Sequence, residues 1–575
     1  MYESFFFDNF YYNFLTSFVF LSINFIFSIF LSEKSSVYKI KITQPHLIFF
    51  TIISIYAFLV NSLILLNKTQ YLFYAVALLL LCSVLCLTFF ADYKKLPNYF
   101  PKYKNIDKCL LLFFVIFLFI SILPFSDADS VSIHMNIPAQ IMHHGVLNTD
   151  LVRNIENTLI SNTESILSLS FILKSDNFGS QLNFFSLVAF LFVFRKNKYF
   201  YYILFCSPLI IFFISTQKLQ LFFGIIYLSI FILIFENKLK NNYEIFLFAF
   251  LLVFYSSGKL TYLLFSFFLF LFFLFKNKNC IRKIFLYLFI CFFIHQFPLL
   301  LYKFILFQNF VPPFFDSFFN NREAFFAFTE SIRSSEGWLS NFSISSVLRP
   351  FFTINISQLS TTFGMCFVLL ILNYKKIKEL YYIPYLIILS VFISGQLLPR
   401  YFLEAFLIMA FYANNSGLFK VINFFQGGAV ILLSLGFLFY SSFYLASNSW
   451  SKSLFLDKFS YSHENAKKVN QKKLTGNVLV LAFARDSIFY DKNIYSSRYL
   501  DIMNAYNGNY EEYIKKVISM RKIKFVIFKD LSKLPNCVNV NLVDKIYFNK
   551  VTRNFLVNNN KVKYNIGEIV SNECK

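Results

Sequence analysis

The sequence predicts an α-helical polytopic membrane protein, with about 14 transmembrane helices and a small C-terminal extracytoplasmic α/β domain. Two observations support this fold class. Of the 575 residues, 57% are hydrophobic and only 14% are charged, a balance outside the range of soluble globular chains. The hydrophobic residues also fall into runs that are long enough to cross all or most of a bilayer, with short polar segments between them.

The apolar runs continue through the first three quarters of the chain. The first run follows no basic segment and no small-residue cleavage site, so we interpret it as a retained span and not as a signal peptide. The predicted spans are 10–31, 47–66, 71–90, 109–124, 180–194, 199–215, 219–235, 245–257, 260–275, 284–302, 351–372, 380–396, 401–414 and 424–446.

The basic residues predict one orientation for all of these spans. Seven short segments between spans carry 21 Lys and Arg against 6 Asp and Glu, and they alternate with segments that are poorer in cations. By the positive-inside rule these seven lie in the cytoplasm, and the N-terminus and the C-terminal tail lie outside. Membrane topology therefore accounts for the formal net charge of +23, and we predict no nucleic-acid partner. The seven segments are 32–46, 91–108, 195–198, 236–244, 276–283, 373–379 and 415–423.

Three regions follow from this topology. Residues 1–108 form additional N-terminal helices, and residues 109–446 form a membrane module with large external loops at 125–179 and 303–350. Residues 447–575 form a polar tail. The tail contains strand-like "NVLVLAFA", helix-like "EEYIKKVISMRKI" and strand-like "KFVIFK" in that order, which predicts a small α/β domain.

Acidic and histidine side chains cluster where the fourth predicted span ends, in "SDADSVSIHMNIPAQIMHHG". Asp127 and Asp129 are either solvated caps or carboxylates held against the bilayer, where desolvation would raise their basicity. The following apolar stretch "TESILSLSFILKSDNFGS" is predicted to be a membrane-surface helix. His134, His143 and His144 are candidate metal ligands, although adjacent histidines rarely reach one ion together and surface histidines are the simpler interpretation.

Lys259 is the one charged residue within the long apolar run 246–275. As a single helix this run would be about 45 Å long, too long for a bilayer without strong tilt. Both of its ends adjoin basic segments, so the run predicts a hairpin that turns at "SSGK" with Gly258 supplying backbone freedom. Lys259 is then either a lysine that reaches the external surface or a functional cation inside the membrane face.

Arg400 and Glu404 lie four residues apart in "GQLLPRYFLEAFLIMA", at the outer end of two short predicted spans. They form either an ion pair on a helix surface or part of an anion site, because guanidinium groups bind phosphate oxygens in a forked geometry. With the two aspartates and Lys259, these residues predict one cluster on the external face.

The order of these motifs resembles the GT-C class of polytopic glycosyltransferases, specifically bacterial family-39-like enzymes that use polyprenyl-phosphate sugars. In that class an Asp in the first large external loop is followed by Tyr and then by His or Ala. Asp129 and His134 match this pattern, and Ile133 departs from it. Glu164 matches a Glu that opens a surface helix, "YSSGKLTYLL" and "QNFVPPFFDSFF" resemble later motifs, and "LLPRYFLE" resembles a late Arg-Tyr motif. The resemblance covers about 109–414.

The resemblance implies an inverting transfer of a sugar from a polyprenyl-phosphate donor to an acceptor hydroxyl on the extracytoplasmic face of a bacterial inner membrane. It implies that Asp129 is the catalytic base, with Asp127 as a second candidate or helper. His134, Glu164, Lys259, Arg400 and Glu404 would bind substrate, with Lys259 and Arg400 on the lipid phosphate. The expected partners are the lipid-linked donor, membrane lipids, and a glycan, lipid or protein acceptor, with no metal and no cofactor beyond that co-substrate.

Two alternatives remain open at the level of sequence. An O-antigen-type polymerase or ligase would act on a lipid diphosphate through external arginines, for which Arg322, Arg333 and Arg349 in the loop 303–350 are candidates. A lipid or polysaccharide transporter would need an internal pathway or an inverted repeat of spans, and no clear repeat stands out in the sequence.

Overall fold

The chain is mostly helical and ends in a small sheet. The computed structural model describes residues 10–37, 44–90, 108–125, 127, 129–194, 197–236, 239, 241–335, 362–373, 382–394, 398–413, 417–447, 452–460, 463–472, 474–481, 494–531, 534–549 and 561–572. Arg349 and the basic segments 91–107 and 374–381 lie outside the described residues.

The first half of the helical part has twelve α-helices within the described ranges, and every predicted span up to residue 235 contains helix. They are α1 (Phe10–Val37), α2 (Pro45–Leu65), α3 (Leu72–Phe90), α4 (Lys108–Ile122), α5 (Asn136–His144), α6 (Leu151–Asn154), α7 (Asn162–Leu167), α8 (Leu169–Ile172), α9 (Phe178–Phe194), α10 (Lys198–Phe205), α11 (Pro208–Ile214) and α12 (Gln220–Phe235).

The second half continues the helical pattern and then changes to the tail. Its helices are α13 (Asn242–Ser257), α14 (Leu260–Lys276), α15 (Ile281–His295), α16 (Phe297–Phe307), α17 (Glu323–Ser335), α18 (Met365–Asn373), α19 (Tyr382–Ile393), α20 (Leu403–Phe411), α21 (Gly417–Ser447), α22 (Ser453–Phe459), α23 (His463–Gln471), α24 (Arg498–Asn507) and α25 (Tyr510–Met520).

Long apolar helices support a membrane-embedded protein. Among the described residues, four helices are long and apolar enough to cross a membrane: α1, α2, α3 and α21. The bent pair α15–α16 would make a fifth. Six further apolar helices have 10–17 residues. The predicted helical class with a small C-terminal sheet is confirmed, and the apolar helices are compatible with a membrane protein. The number of about 14 spans stays a prediction.

Two predicted spans are interrupted, and proline explains both interruptions. The run 199–215 is divided between α10 and α11, and Pro208 begins α11. The run 284–302 bends by 48° between α15 and α16, with Pro298 in the first turn of α16. Proline lacks the backbone N–H of a helix interior and is tolerated in a first helical turn. Each of the two predicted spans therefore consists of two helices and not of one.

The connections between helices gather at two opposite ends of the bundle. At one end, Thr16 donates to the carbonyl of Leu173 at 2.7 Å, and Tyr302 Oη accepts from the Leu147 amide at 3.2 Å. At the other end, Asn197 donates to Phe411 O at 2.8 Å. The predicted external loop 125–179 therefore contacts α1 and α16, and the predicted cytoplasmic segment 195–198 contacts the last residue of α20.

The external loop 125–179 differs from its prediction as a membrane-surface element. Its second half forms the short helices α7 and α8, and the residues from Asn162 to Ser170 are buried inside the protein. Their polar groups are satisfied internally: Asn162 donates to the carbonyl of His295 at 3.2 Å, and Ser165 donates to Asn61 at 2.5 Å. The stretch is therefore part of the core, and the prediction of a surface helix is wrong.

The tail forms the small α/β domain that the sequence predicts. Its strands are β1 (Asn477–Val480), β2 (Ile494–Ser496), β3 (Ile523–Phe528), β4 (Val538–Asn549) and β5 (Lys561–Asn572). They form one sheet in the order β2-β1-β3-β5-β4. The strands β2, β1 and β3 are parallel, and β5 and β4 add an antiparallel edge that the sequence analysis missed.

The tail shares its hydrophobic core with other parts of the chain. Its core cluster includes Ile155 from the loop 125–179, and Ala327 and Phe328 from α17. Apolar packing of this kind is favourable in proportion to the area removed from water. The tail domain is therefore packed against both large loops at the same end of the bundle.

Candidate functional site

The acidic stretch forms a tight turn directly after α4. Asp127 accepts the Ser130 amide through Oδ1 at 3.0 Å, and the Met135 amide donates to Ser130 O at 2.9 Å. The latter bond joins residues five apart and defines a short π-helical turn over Ser130–His134, a feature that is rare and often found at functional sites. The Ser130 hydroxyl accepts the Gln217 amide at 2.9 Å, which ties the turn to the connection between α11 and α12.

Two cations hold Asp129 and one of them also reaches Asp127. Lys218 Nζ lies 2.8 Å from Asp129 Oδ2 and 3.4 Å from Asp127 Oδ1, and Arg400 Nη1 lies 3.1 Å from the same Oδ2 of Asp129. Lys218 is 5% exposed, and its ammonium group also stands 4.7 Å from the centre of the Phe212 ring. Asp129 and Arg400 are 271 residues apart in the chain, so the fold brings them together.

Sequence reasoning missed Lys218, although a signal for it exists. It is the one charged residue between Lys198 and Glu236, which is the same pattern that singled out Lys259. A lone ionisable residue in a long apolar run is a functional candidate by default. The structure places it at the start of α12, where it closes the acidic turn.

Lys259 occupies the hairpin turn where the sequence predicts it, between α13 and α14. Its ammonium group stands 4.7 Å from the centre of the Tyr401 ring, and the guanidinium carbon of Arg400 stands 5.3 Å from the same ring. Cations within about 6 Å of an aromatic face are attracted to it. Lys259 and Arg400 therefore share Tyr401 as a neighbour.

Glu404 departs from its expected place among the charged groups. It is 2% exposed and accepts a hydrogen bond from Tyr255 at 2.9 Å. Tyr255 stacks on Tyr262 with ring centres 4.6 Å apart. Glu404 therefore lies buried among tyrosines and not on a helix surface.

His134 and Glu164 form a hydrogen-bonded pair. His134 Nδ1 lies 2.8 Å from Glu164 Oε1, and Glu164 is 2% exposed. The other carboxylate oxygen, Oε2, accepts the Ser161 amide at 2.8 Å and lies 2.5 Å from the Ser161 hydroxyl. This is a capping box at the start of α7, which satisfies helix N-terminal amides reciprocally and holds the carboxylate in place.

The histidine pair is connected to the Lys259 turn through backbone. The hydroxyls of Ser161 and Thr163 each lie 2.8 Å from the carbonyl of Gly258, the residue before Lys259. The contacts therefore run from His134 through Glu164 and the Lys259 turn to Tyr401 and Arg400. They return to the acidic turn at Asp129. We call this closed set of contacts the polar circuit.

The two remaining histidines stand apart from the polar circuit. His143 packs edge-on against Phe171 with ring centres 5.6 Å apart, and burial followed by the neighbouring His144 lowers the pKa of His143 below its ordinary value. His144 is exposed. Among the described residues, no group of three or more His, Cys, Asp and Glu side chains is arranged to hold a metal ion.

One of the three arginines of the loop 303–350 has a structural role. Arg322 forks onto Asp316 at 2.6 and 3.1 Å, and Asp316 is 1% exposed. Burial opposes ionisation of this carboxyl, but the bonds from Arg322 and Asn309 prevail and lower its pKa below the ordinary value. A guanidinium used in this way is already occupied by its carboxylate.

Comparisons with known proteins add no relative. No family model, no curated protein and no solved structure matches the chain. The chemistry of the site therefore rests on its own geometry. The polar circuit and Lys218 together present three cations, three carboxylates and a histidine, a set that can bind an anion and accept a proton.

Proposed function

We propose that this chain is an integral membrane glycosyltransferase of the GT-C type. It transfers a sugar, with inversion, from a polyprenyl-phosphate donor to an acceptor hydroxyl on the extracytoplasmic face. The observation that carries the proposal is the pairing of Lys218 and Arg400 with Asp129, together with the contact of Lys259 and Arg400 with the same Tyr401 ring. A lipid-linked phosphate reaches such a place from the bilayer.

The cations supply what the leaving group needs. When the bond between sugar and phosphate breaks, negative charge grows on the phosphate, and preorganised cations stabilise that charge most where water is excluded. Arg400 offers a planar fork that matches phosphate oxygens, and the lysines act as compact point charges. In the absence of donor, Lys218 and Arg400 both form ion pairs with Asp129, so an incoming phosphate competes with that carboxylate for them.

The orientation in the membrane is part of the proposal. The basic segments favour a cytoplasmic location for the end of the bundle opposite to the polar circuit. Cys537 in the tail is disulfide-bonded, and disulfides persist mainly in extracytoplasmic, oxidising compartments. Both observations support a bacterial inner-membrane protein whose polar circuit and tail face the outside.

The alternatives gain no comparable support. A polymerase acting through the arginines of the loop 303–350 needs Arg322 for substrate, whereas Arg322 is bound to Asp316. A transporter breaks no bond between sugar and phosphate, so it does not need cations that stabilise a leaving phosphate.

The test is donor turnover by the purified protein in proteoliposomes, with a panel of polyprenyl-phosphate sugars and mixed envelope glycolipid acceptors. We expect release of polyprenyl phosphate by the wild type. Arg400→Gln and Lys218→Gln should each lower turnover by about 10²-fold, the typical effect of removing one charge-stabilising donor. Lys420→Gln, an exposed lysine at the start of α21, should turn over donor like the wild type.

Two results contradict the proposal. One is a folded wild type that turns over none of the donors. The other is wild-type turnover by both Arg400→Gln and Lys218→Gln. Turnover of polyprenyl-diphosphate donors alone would favour the polymerase.

A further inference from the structure

The Glu164–His134 pair has the arrangement of an oriented general base. Because Oε2 of Glu164 is occupied by Ser161, its Oε1 is left to face His134 Nδ1 at 2.8 Å. A carboxylate at that nitrogen selects the tautomer with the proton on Nδ1, and the lone pair of the neutral ring is then on Nε2. The same logic orients the histidine of catalytic triads.

The second ring nitrogen of His134 is available to substrate. The His134 side chain is 22% exposed, whereas the Glu164 behind it is buried. Among the described residues, Glu164 is the hydrogen-bond partner of the His134 ring. The nitrogen opposite to Glu164 is therefore presented towards the accessible side.

Asp129 is poorly suited to take a proton in the same arrangement. Its Oδ2 is shared by Lys218 at 2.8 Å and Arg400 at 3.1 Å. Nearby positive charges favour the ionised form of a carboxylate and weaken its attraction for protons. Its geometry is that of an anchor which holds both cations in position until a phosphate displaces it.

The two groups lie in one site. Asp129 directly precedes the π-helical turn and His134 ends it, so one short turn of backbone carries both residues. The Glu164–His134 pair is also connected to the Lys259 turn, because the Ser161 hydroxyl lies 2.8 Å from Gly258 O.

From this geometry we infer that His134, positioned by Glu164, accepts the proton of the acceptor hydroxyl, and that Asp129 positions the cations. The inference rests on the proposed transferase function. In the step, the acceptor O–H proton passes to His134 Nε2 and the acceptor oxygen forms a bond to the anomeric carbon. The bond from that carbon to the phosphate oxygen breaks, and its electron pair leaves with the polyprenyl phosphate.

The experiment compares steady-state transfer by His134→Ala, Glu164→Gln and Asp129→Asn in proteoliposomes over a range of donor concentrations. Loss of a general base typically costs about 10²–10⁴-fold, so His134→Ala should lose kcat by that factor with little change in donor KM. Added imidazole should restore part of the rate to His134→Ala and none to Glu164→Gln. Asp129→Asn should mainly raise donor KM. His144→Ala is the matched control and should behave as wild type.

A second readout does not depend on transfer. Diethyl pyrocarbonate acylates accessible neutral imidazoles, and peptide mass spectrometry should find His134 modified in the wild type and protected by the donor. The inference is overturned if folded His134→Ala keeps kcat within tenfold of wild type, if imidazole gives no rescue, or if His134 resists the reagent while His144 reacts. A wild type without any transfer, but with a reactive His134, overturns the proposed function instead.

Discussion

Lys218 and Lys259 have the same sequence context, a single cation in a long apolar run, but the structure gives them different surroundings. Lys218 forms ion pairs with two aspartates, and Lys259 lies over an aromatic ring. Residue type and spacing predict that such a lysine is functional, because its insertion into a membrane is costly. They do not predict its partner, since Asp127 and Asp129 come from a different segment of the chain.

Asp316 gives a pH-dependent prediction at the residue scale. Its native pKa is lowered, against the effect of burial, by bonds from Arg322 and Asn309. Its contribution to stability is therefore complete above the ordinary carboxyl pKa of about 3.9 and is lost as the pH falls through the lower native value. We expect the melting temperature of the wild type to fall across this window more steeply than that of Asp316→Asn.

The measurement is thermal unfolding in detergent between pH 6 and pH 2. Asp530→Asn, which changes an exposed carboxylate in the tail, serves as the control and should follow the wild type. Parallel pH profiles for the wild type and Asp316→Asn would show that the Arg322 pair contributes nothing to this dependence.

At the scale of elements, the turns between helices position the polar circuit. The sequence predicts the position of the hairpin turn at Gly258 correctly, but the reason given for the glycine is wrong. Gly258 has φ −71° and ψ −31°, a conformation open to any residue, so backbone freedom is not required. A Cβ on Gly258 would instead stand 2.7–2.9 Å from three atoms of the Phe223 ring, and close packing is what requires glycine.

Gly258→Ala should therefore destabilise the protein and move the Lys259 turn. Overpacking of a filled site costs about 1–3 kcal/mol, and Phe223 has little room because it packs against Tyr255 and Tyr262. We expect a lower melting temperature and reduced donor turnover. Gly428→Ala in α21, where the added Cβ meets nothing within 4 Å, should be neutral or slightly stabilising. Equal behaviour of the two variants would contradict the packing argument.

At the scale of the whole molecule, the acidic loop 125–179 divides its charges between two tasks. Asp127, Asp129 and Glu164 belong to the polar circuit. Three other acids of the loop bind cations of the tail: Asp150 with Arg521 at 2.6 Å, Glu156 with Arg498 at 3.3 Å and Asp176 with Lys452 at 2.5 Å. These ion pairs hold the loop that carries the site against the tail. The core of the tail also includes Ile155 of the same loop.

The arrangement predicts which parts of the chain are accessible from one side of a membrane. Single cysteines are introduced in a background whose seven thiol cysteines are changed to serine. A membrane-impermeant maleimide should label Lys68→Cys, after α2, and Lys467→Cys, in the tail, on intact cells or spheroplasts. Lys420→Cys should react only after permeabilisation. Labelling of Lys420→Cys alone on intact cells would invert the orientation and remove the external site.

Hydrophobic runs, basic segments and strand patterns were sufficient for the helical class, for the position of the hairpin at Lys259 and for the α/β character of the tail. These features are local, because hydrophobicity and periodicity act on consecutive residues. The breaks at Pro208 and Pro298 are also visible in the sequence, because proline disrupts a helix interior. The burial of α7 and α8 inside the protein cannot be read from the sequence, because their apolar residues suit a membrane surface and a protein core equally well.

The contacts that define the site are a different matter, because they join segments that are far apart in the chain. The sequence by itself determined which residues carry charge in an apolar chain and at which ends of helices they lie. Only the tertiary structure decided that Asp129 pairs with Lys218 and Arg400, that Glu404 is buried against Tyr255, and that Glu164 holds His134. The physical reason is that an ion pair or a hydrogen bond depends on distances of a few ångströms, and helix packing sets these distances.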